Sequence, residues 1–357
     1  MRWQREALGS DFLPSGGRLL ASDSESVFIA SGPGDAGVGE PRQTVTAVDR
    51  ADGATRWTIS RVGPPFLHGV VGNVLIVSEQ YHVIAGLDAA TGAERWAISL
   101  EAENLPGYGA TIGVAAEGMI ALGLSASSEG STQPPVVVSL DPATGALQWR
   151  ATLTTGTDLN FGKPAVIDGA AVFLSTPSHP GSAPGNVAHA VNLRDGSVRW
   201  TLDLGGGQGF HVAGAVATPG GVHVPGPGAV LTVDPGTGSV RWRRDSSPVP
   251  AVAAVGNKLW LLEPNRVVLL DPQSGIEVAN SPLDQPMLGP SALLTSPDAP
   301  SVIAVDQRRG IGMDRLDAST LWSRTWPATL NDIPIIAQDL LIVAAIDSAV
   351  TAYELPR

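Results

Sequence analysis

Six side chains in this sequence combine binding chemistry with positions near one predicted rim of the fold: His68, Tyr108, Phe161, Lys163, Phe210 and His211. An imidazole or an ammonium group there orients an anionic or polar ligand, and the aromatic rings offer faces to stack on it. Each also has a plain structural reading. Phe161 and Phe210 then pack between sheets, and the histidines bond backbone carbonyls. The other constellations carry less. Gly32-Pro33-Gly34-Asp35-Ala36-Gly37 matches G-x-G-x-x-G, but it enters a proline-containing loop with no helix behind it. Without a helix N-terminus a pyrophosphate has no dipole to sit on. His82, His179, His189 and His223 lack metal-ligand spacing. Glu101, Glu103 and Asp158 read as a solvated acidic rim. There is no cysteine, which excludes disulfides, thiolate catalysis and cysteine zinc sites. No phosphate-binding P-loop, H-E-x-x-H pair or EF-hand loop is present either. The expectation is a protein that is not an enzyme and carries no cofactor and no metal.

Aspartates recur at a spacing that means architecture, not acid–base work. Asp49, Asp88, Asp141, Asp234 and Asp314 each precede a tryptophan by eight residues: Trp57, Trp96, Trp149, Trp242 and Trp322. Asn192 to Trp200 keeps the offset with Asn, and Asp271 to Ala279 keeps it without the Trp. Four residues before the anchor stands a glycine, at 53, 92, 145, 196, 238 and 275, with Ala318 the one exception. A carboxylate that bonds turn amides, followed by a glycine at positive φ, makes a tight hairpin between two strands. A repeated hairpin of this kind specifies a circular or solenoid fold before any other feature does.

The termini complete the count. Trp3 is an anchor with no turn before it, and Val350-Thr351-Ala352-Tyr353-Glu354 parallels Val45-Thr46-Ala47-Val48-Asp49 with nothing after it. One blade is therefore built from both ends, and eight anchor positions (Trp3, Trp57, Trp96, Trp149, Trp200, Trp242, Ala279, Trp322) predict eight blades. The fold class is all-β, an eight-bladed propeller of four-stranded antiparallel blades, and residues 1–357 form one domain. Strands are expected at 67–71, 74–78, 82–88 and 94–99 in the second blade. In the fourth they are expected at 163–167, 171–175, 187–193 and 198–203, and in the last at 340–345 and 350–354. No helix is expected.

The L-D-x-x-T-G-x-x-x-W pattern, clearest at Leu87-Asp88-Ala89-Ala90-Thr91-Gly92 with Trp96 and at Leu140-Asp141-Pro142-Ala143-Thr144-Gly145 with Trp149, resembles the repeat of quinoprotein-like β-propellers. The likeness runs through the whole chain. Among such propellers are quinone-dependent alcohol dehydrogenases, a lipoprotein that helps assemble outer-membrane barrels, and sensor domains of bacterial Ser/Thr kinases. The resemblance implies the fold and does not choose among these. The dehydrogenases are longer chains with a vicinal cysteine pair and a calcium-bound quinone, so pyrroloquinoline quinone is not expected to bind.

In such a blade the D-to-A and B-to-C connections share one face. On that face the segments 32–42, 101–109, 125–135, 154–162, 176–186 and 205–209 are long and irregular, while the C-to-D turns are uniform. Variable loops on one rim mark a binding face. The expected partner is a protein or peptide, with a small polar ligand in the axial funnel of a sensor as the alternative and a quinone-dependent dehydrogenase last. A net charge of −12 argues against nucleic acid and anionic membranes. Membrane contact is expected only through a segment outside this chain. Structure beginning at Trp3 and ending near Glu354 implies a domain trimmed from a longer, extracytoplasmic parent with an export signal or anchor.

Overall fold

The computed structural model describes residues 1–6, 20–31, 42–62, 66–79, 82–105, 112–116, 119–124, 134–154, 157–159, 163–177, 185–205, 214–226, 228–246, 251–287, 291–295, 301–326, 330, 334–344 and 349–355. These residues form eight antiparallel sheets, seven of four strands and one of five. No helix occurs among them, and none is long and apolar enough to cross a membrane. Strands run A to D from the axis outward. Blade 2 shows the pattern, with Phe66–Val71, Val74–Glu79, Val83–Asp88 and Glu94–Ser99 paired in that order. Its A strand is half-buried, B and C are buried almost throughout, and D alternates at the rim.

The eighth blade closes as the termini predict. Trp3–Glu6 pairs antiparallel with Ala349–Glu354, in the register Trp3↔Ala352 to Glu6↔Ala349. The N-terminal strand thereby becomes the outer strand of the blade whose other three strands lie at the far end of the chain. Arg2 Nη1 donates to Glu354 Oε1 at 2.7 Å across the split. That contact repeats the pairing of Arg95 with Asp88 and of Arg241 with Asp234 inside single hairpins.

The recurring hairpin works as its residues dictate. Asp88 Oδ1 accepts from the amides of Ala90 and Thr91 and from the Thr91 hydroxyl. Gly92 then turns the chain at φ 74° and donates its amide to Asp88 O at 2.8 Å. The glycine has a second duty that lies between blades. A Cβ on Gly145 would fall 2.5 Å from Cε3 of Trp96, in the preceding blade, and one on Gly92 would fall 2.7 Å from Cε3 of Trp57. Six of the anchors thus lay a ring on the next blade's glycine. The indole N–H of each donates to the carbonyl one residue past the next blade's Asp or Asn, at 2.8–3.0 Å from Trp3, Trp57, Trp96, Trp149, Trp200 and Trp242.

The two departures from the repeat are one event. Ala279, which replaces a tryptophan, and Ala318, which replaces the following glycine, belong to the same buried cluster between blades 6 and 7. With no ring above it, position 318 keeps a methyl group even at φ 64°. The lost volume returns two strands inward. Trp260, Leu269 and Ala279 form one row of cross-strand partners in blade 6, where blade 2 has Ile76, Gly86 and Trp96. Trp260 is fully buried in that cluster. Interiors close-pack, so a large residue in one row position asks for small ones in the others.

Strand boundaries depart from expectation on the loop-rich face. Blade 4 carries an extra strand, Thr157–Leu159, inside the segment expected to be loop. It pairs with Ser175–Pro177 because the second strand, Ala170–Pro177, runs beyond the blade and presents an open edge. Its inner strand proper is Ala165–Ile167, shorter than expected.

Candidate functional site

The inner strands of blades 1, 4, 5, 6, 7 and 8 enclose an axial cavity of about 510 Å³. Its walls are small and apolar, with alanine and valine at 165–166, 215–217 and 251–254, and Leu293, Leu294, Ile335 and Ile336 beside them. Lys163, Ser291 and Thr295 are the polar side chains that line it. The small residues follow from crowding near the axis. At Gly214 a Cβ would lie 2.7 Å from the Lys163 amide nitrogen, so the inner strands of blades 4 and 5 meet backbone to backbone there.

Of the six predicted site residues, the structure places two. Lys163 is exposed and lines the cavity where the fourth inner strand begins. His68 lies on the inner strand of blade 2 as the extra residue of a register shift between Leu67 and Gly69. Its Nε2 stands 2.9 Å from Ser78 Oγ on the neighbouring strand, and it is not among the residues that line the cavity. The structure therefore does not bring His68 and Lys163 to one ligand position. Tyr108, Phe161, Phe210 and His211 lie outside the described residues.

The two buried histidines are structural. His223 bonds Thr218 Oγ1 at 2.8 Å through Nε2 and Thr232 Oγ1 at 2.6 Å through Nδ1, and its ring lies 5.9 Å from that of Trp242. His189 bonds Ser175 Oγ at 3.0 Å and Thr201 Oγ1 at 3.4 Å. Burial pushes both imidazoles down to about 4, so both are neutral at neutral pH. The hairpin carboxylates go the other way. Asp234 is pulled down to about 2, first by the Arg241 guanidinium and then by the Thr237 amide. Asp88 is lowered first by Arg95, and Asp141 first by the Thr144 amide. These are ionised turn caps, and proton transfer at neutral pH is not their chemistry. Glu79 is raised by burial beside Arg61, which stands 3.1 Å away.

Among the described residues no three His, Cys, Asp or Glu side chains gather where a metal ion would sit. The cavity wall holds no carboxylate and no aromatic ring among its described residues. That donor set does not fit a calcium-bound quinone.

The loop-rich rim is uneven. Among the described residues, eight-residue strands reach that rim in blades 1 and 4, Arg42–Asp49 and Thr55–Val62 in one and Ala170–Pro177 with Val198–Gly205 in the other. The opposite rim is held level by the Asp-capped hairpins.

A family model described as outer membrane protein assembly factor BamB matches residues 41–121 and 101–255. The chain belongs to this family. The BamB-like match joins the central repeats, and the structure extends the same blade pattern to both termini. BamB from Moraxella catarrhalis superposes with a TM-score of 0.66 at 15% identity, over 98% of this chain and 99% of that one. A europium-containing methanol dehydrogenase gives 0.67 at 12% identity, over 97% of this chain and 83% of that one. Sqt1 of Saccharomyces cerevisiae gives 0.68 at 9% identity, over 99% and 100%. At such identities these likenesses concern the fold alone. No curated protein matches the sequence.

Proposed function

We propose that this BamB-like propeller is a non-catalytic scaffold that holds a protein or peptide partner on its loop-rich face. The carrying observation is the asymmetry of the two rims. One repeats the tight C-to-D hairpins, whereas the other bears the longest connections and the eight-residue strands of blades 1 and 4. A rigid ring with one irregular face suits recognition of a surface better than enclosure of a substrate. The family description, an outer membrane assembly factor, supports a protein partner and a site outside the cytoplasm. A chain of the mitotic checkpoint complex, similar at a TM-score of 0.58, adds a propeller fold found within an assembly. The lowered hairpin aspartates and the neutral buried histidines are bound up in turns and between strands, which supports the non-catalytic reading.

Photo-crosslinking residues placed at Glu103 and Asp203, toward the loop-rich face, test it against the same residue at Ala90 and Ala143 in the opposite hairpins. Protein adducts are expected from the first pair. Adducts from the second pair alone would refute the face assignment.

A second reading has its own observation, the axial cavity. A sensor domain binding a small ligand there would meet apolar walls with one ammonium group at the mouth. The ligand chemistry would then be more apolar than the polar ligand expected from sequence. A raised melting temperature with an apolar carboxylate, abolished by Lys163→Met, supports this second reading.

A further inference from the structure

We infer that the hairpin-side rim of blades 6 and 7 is a second docking surface, which takes a cationic, apolar segment of a partner protein. The residue just before each anchor is Arg2, Arg56, Arg95, Gln148, Arg199 or Arg241 in six of the blades. In blades 6 and 7 it is Val278 and Leu321. Where arginine is present it can serve the hairpin carboxylate. Arg95 Nη2 donates to Asp88 Oδ2 at 2.5 Å, and Arg241 Nη2 to Asp234 Oδ2 at 2.6 Å. In the two exceptional blades the hairpins keep their aspartates. Asp271 caps Ser274 through Oδ1, and Asp314 caps Leu316 through Oδ1. The strand that elsewhere brings a guanidinium to Oδ2 brings an isopropyl or isobutyl group instead.

Two further positions change in the same place. Ile276 stands where the other repeats have alanine or serine, and Leu316 where they have Ala, Arg, Gly or Gln. All four apolar side chains face solvent: Ile276 is 66% exposed, Val278 51%, Leu316 81% and Leu321 50%. Ala279 on the outer strand of blade 6, Glu277–Pro282, packs in one cluster with Ala318 of the next hairpin. Val278 and Leu316 therefore flank one seam. Leu147, Val198 and Val240 are also exposed on the outer strands of blades 3 to 5, at 37–45%. Among the described residues, only blades 6 and 7 carry exposed apolar side chains in columns that are small or polar elsewhere, which is what an interaction surface looks like.

The occupant follows from charge. Neither hairpin aspartate takes a guanidinium from its own outer strand. Lys258 supplies positive charge near Asp271, and Asp314 is the one that asks for a cation from outside, in the geometry that Arg95 and Arg241 already use. The chain's net charge of −12 repels a second copy and attracts a basic partner. An alternating basic and apolar segment meets both demands. It places an arginine on Asp314 and its apolar side chains on the four exposed ones.

Fluorescence anisotropy with a labelled octapeptide of alternating arginine and leucine tests this. The key variant, V278R with L321R, restores the arginine that the other repeats carry. Its melting temperature should match or exceed the parent's, because the same arrangement is tolerated in blades 2 and 5. Peptide affinity should fall at least tenfold in it, and comparably in Asp314→Asn, for which Asn192 is the in-chain precedent. Equal binding by the parent and the double variant would overturn the inference, since attraction would then come from net charge alone. Sedimentation showing a parent dimer that the double variant dissolves would overturn it too, in favour of self-association.

Discussion

Replacing Gly145 by alanine separates the two roles that the hairpin glycine plays. At φ 72° any L-residue is strained, at a cost of about 1–2 kcal/mol. The added methyl would also sit 2.5 Å from the Trp96 ring, and such overpacking costs about 1–3 kcal/mol. Gly145→Ala alone should therefore destabilise by about 2–5 kcal/mol. Trp96→Ala alone removes a buried ring and the N–H bond to Pro142 O, for about 3–5 kcal/mol. In the double mutant the methyl no longer meets a ring, so the overpacking cost disappears and the strain remains. The natural pair of Ala279 with Ala318, at φ 64°, already shows that combination standing in the fold. The double mutant should be more stable than the sum of the singles predicts, by a coupling of about 1–3 kcal/mol. Urea unfolding of the parent, both singles and the double gives the cycle. Additivity within about 0.5 kcal/mol would refute the claim that ring and glycine recognise each other across the blade seam.

Trp3→Ala should destabilise about as much as Trp96→Ala, because Trp3 is buried, donates to Arg50 O at 2.8 Å and rests on Gly53 despite its place near the chain end. An unchanged melting midpoint would remove the closure of the eighth blade. Acid should weaken the fold through His189 and His223. Their folded values near 4 lie below the unfolded value near 6.5, so the unfolded state binds more protons between the two. Stability is then full above about pH 6.5 and falls as pH drops towards 4, by up to about 3 kcal/mol per histidine. Melting curves from pH 7 to 4.5 should show a shallower fall in His223→Gln than in the parent. Trp322 differs from the other anchors, because its Nε1 is buried without a hydrogen-bond partner among the described residues. The next blade is the split one, whose outer strand comes from the other end of the chain. Trp322→Phe should accordingly cost less than Trp96→Phe by about 1 kcal/mol, and equal losses in thermal unfolding would count against that assignment.

The sequence by itself determined the ring. Asp88, Gly92 and Trp96 lie within nine residues, and their chemistry is local: a carboxylate caps amides, a glycine turns the chain, and a large ring anchors the strand that follows. Repetition made that local signal countable, and the unmatched halves at Trp3 and Glu354 forced the closure that the strand pairing shows. The partners of those same residues were not legible, because they lie one blade away. Trp96 meets Pro142 across 46 positions, and nothing near either residue in sequence announces the other. The same reason hid the link between Ala279 and Ala318, which looked like two separate losses, and the return of their volume at Trp260. A column ten residues before each anchor, small wherever the anchor is Trp and Leu269 where it is Ala, was the signal that would have found it. The candidate site divides likewise. The sequence put Lys163 at the start of an inner strand; that strand begins at Ala165, and Lys163 lines the cavity just before it. That the wall around it is apolar was decided by how six inner strands crowd together around one axis, and that His68 turns to Ser78 by the register shift that makes it an extra residue on its strand.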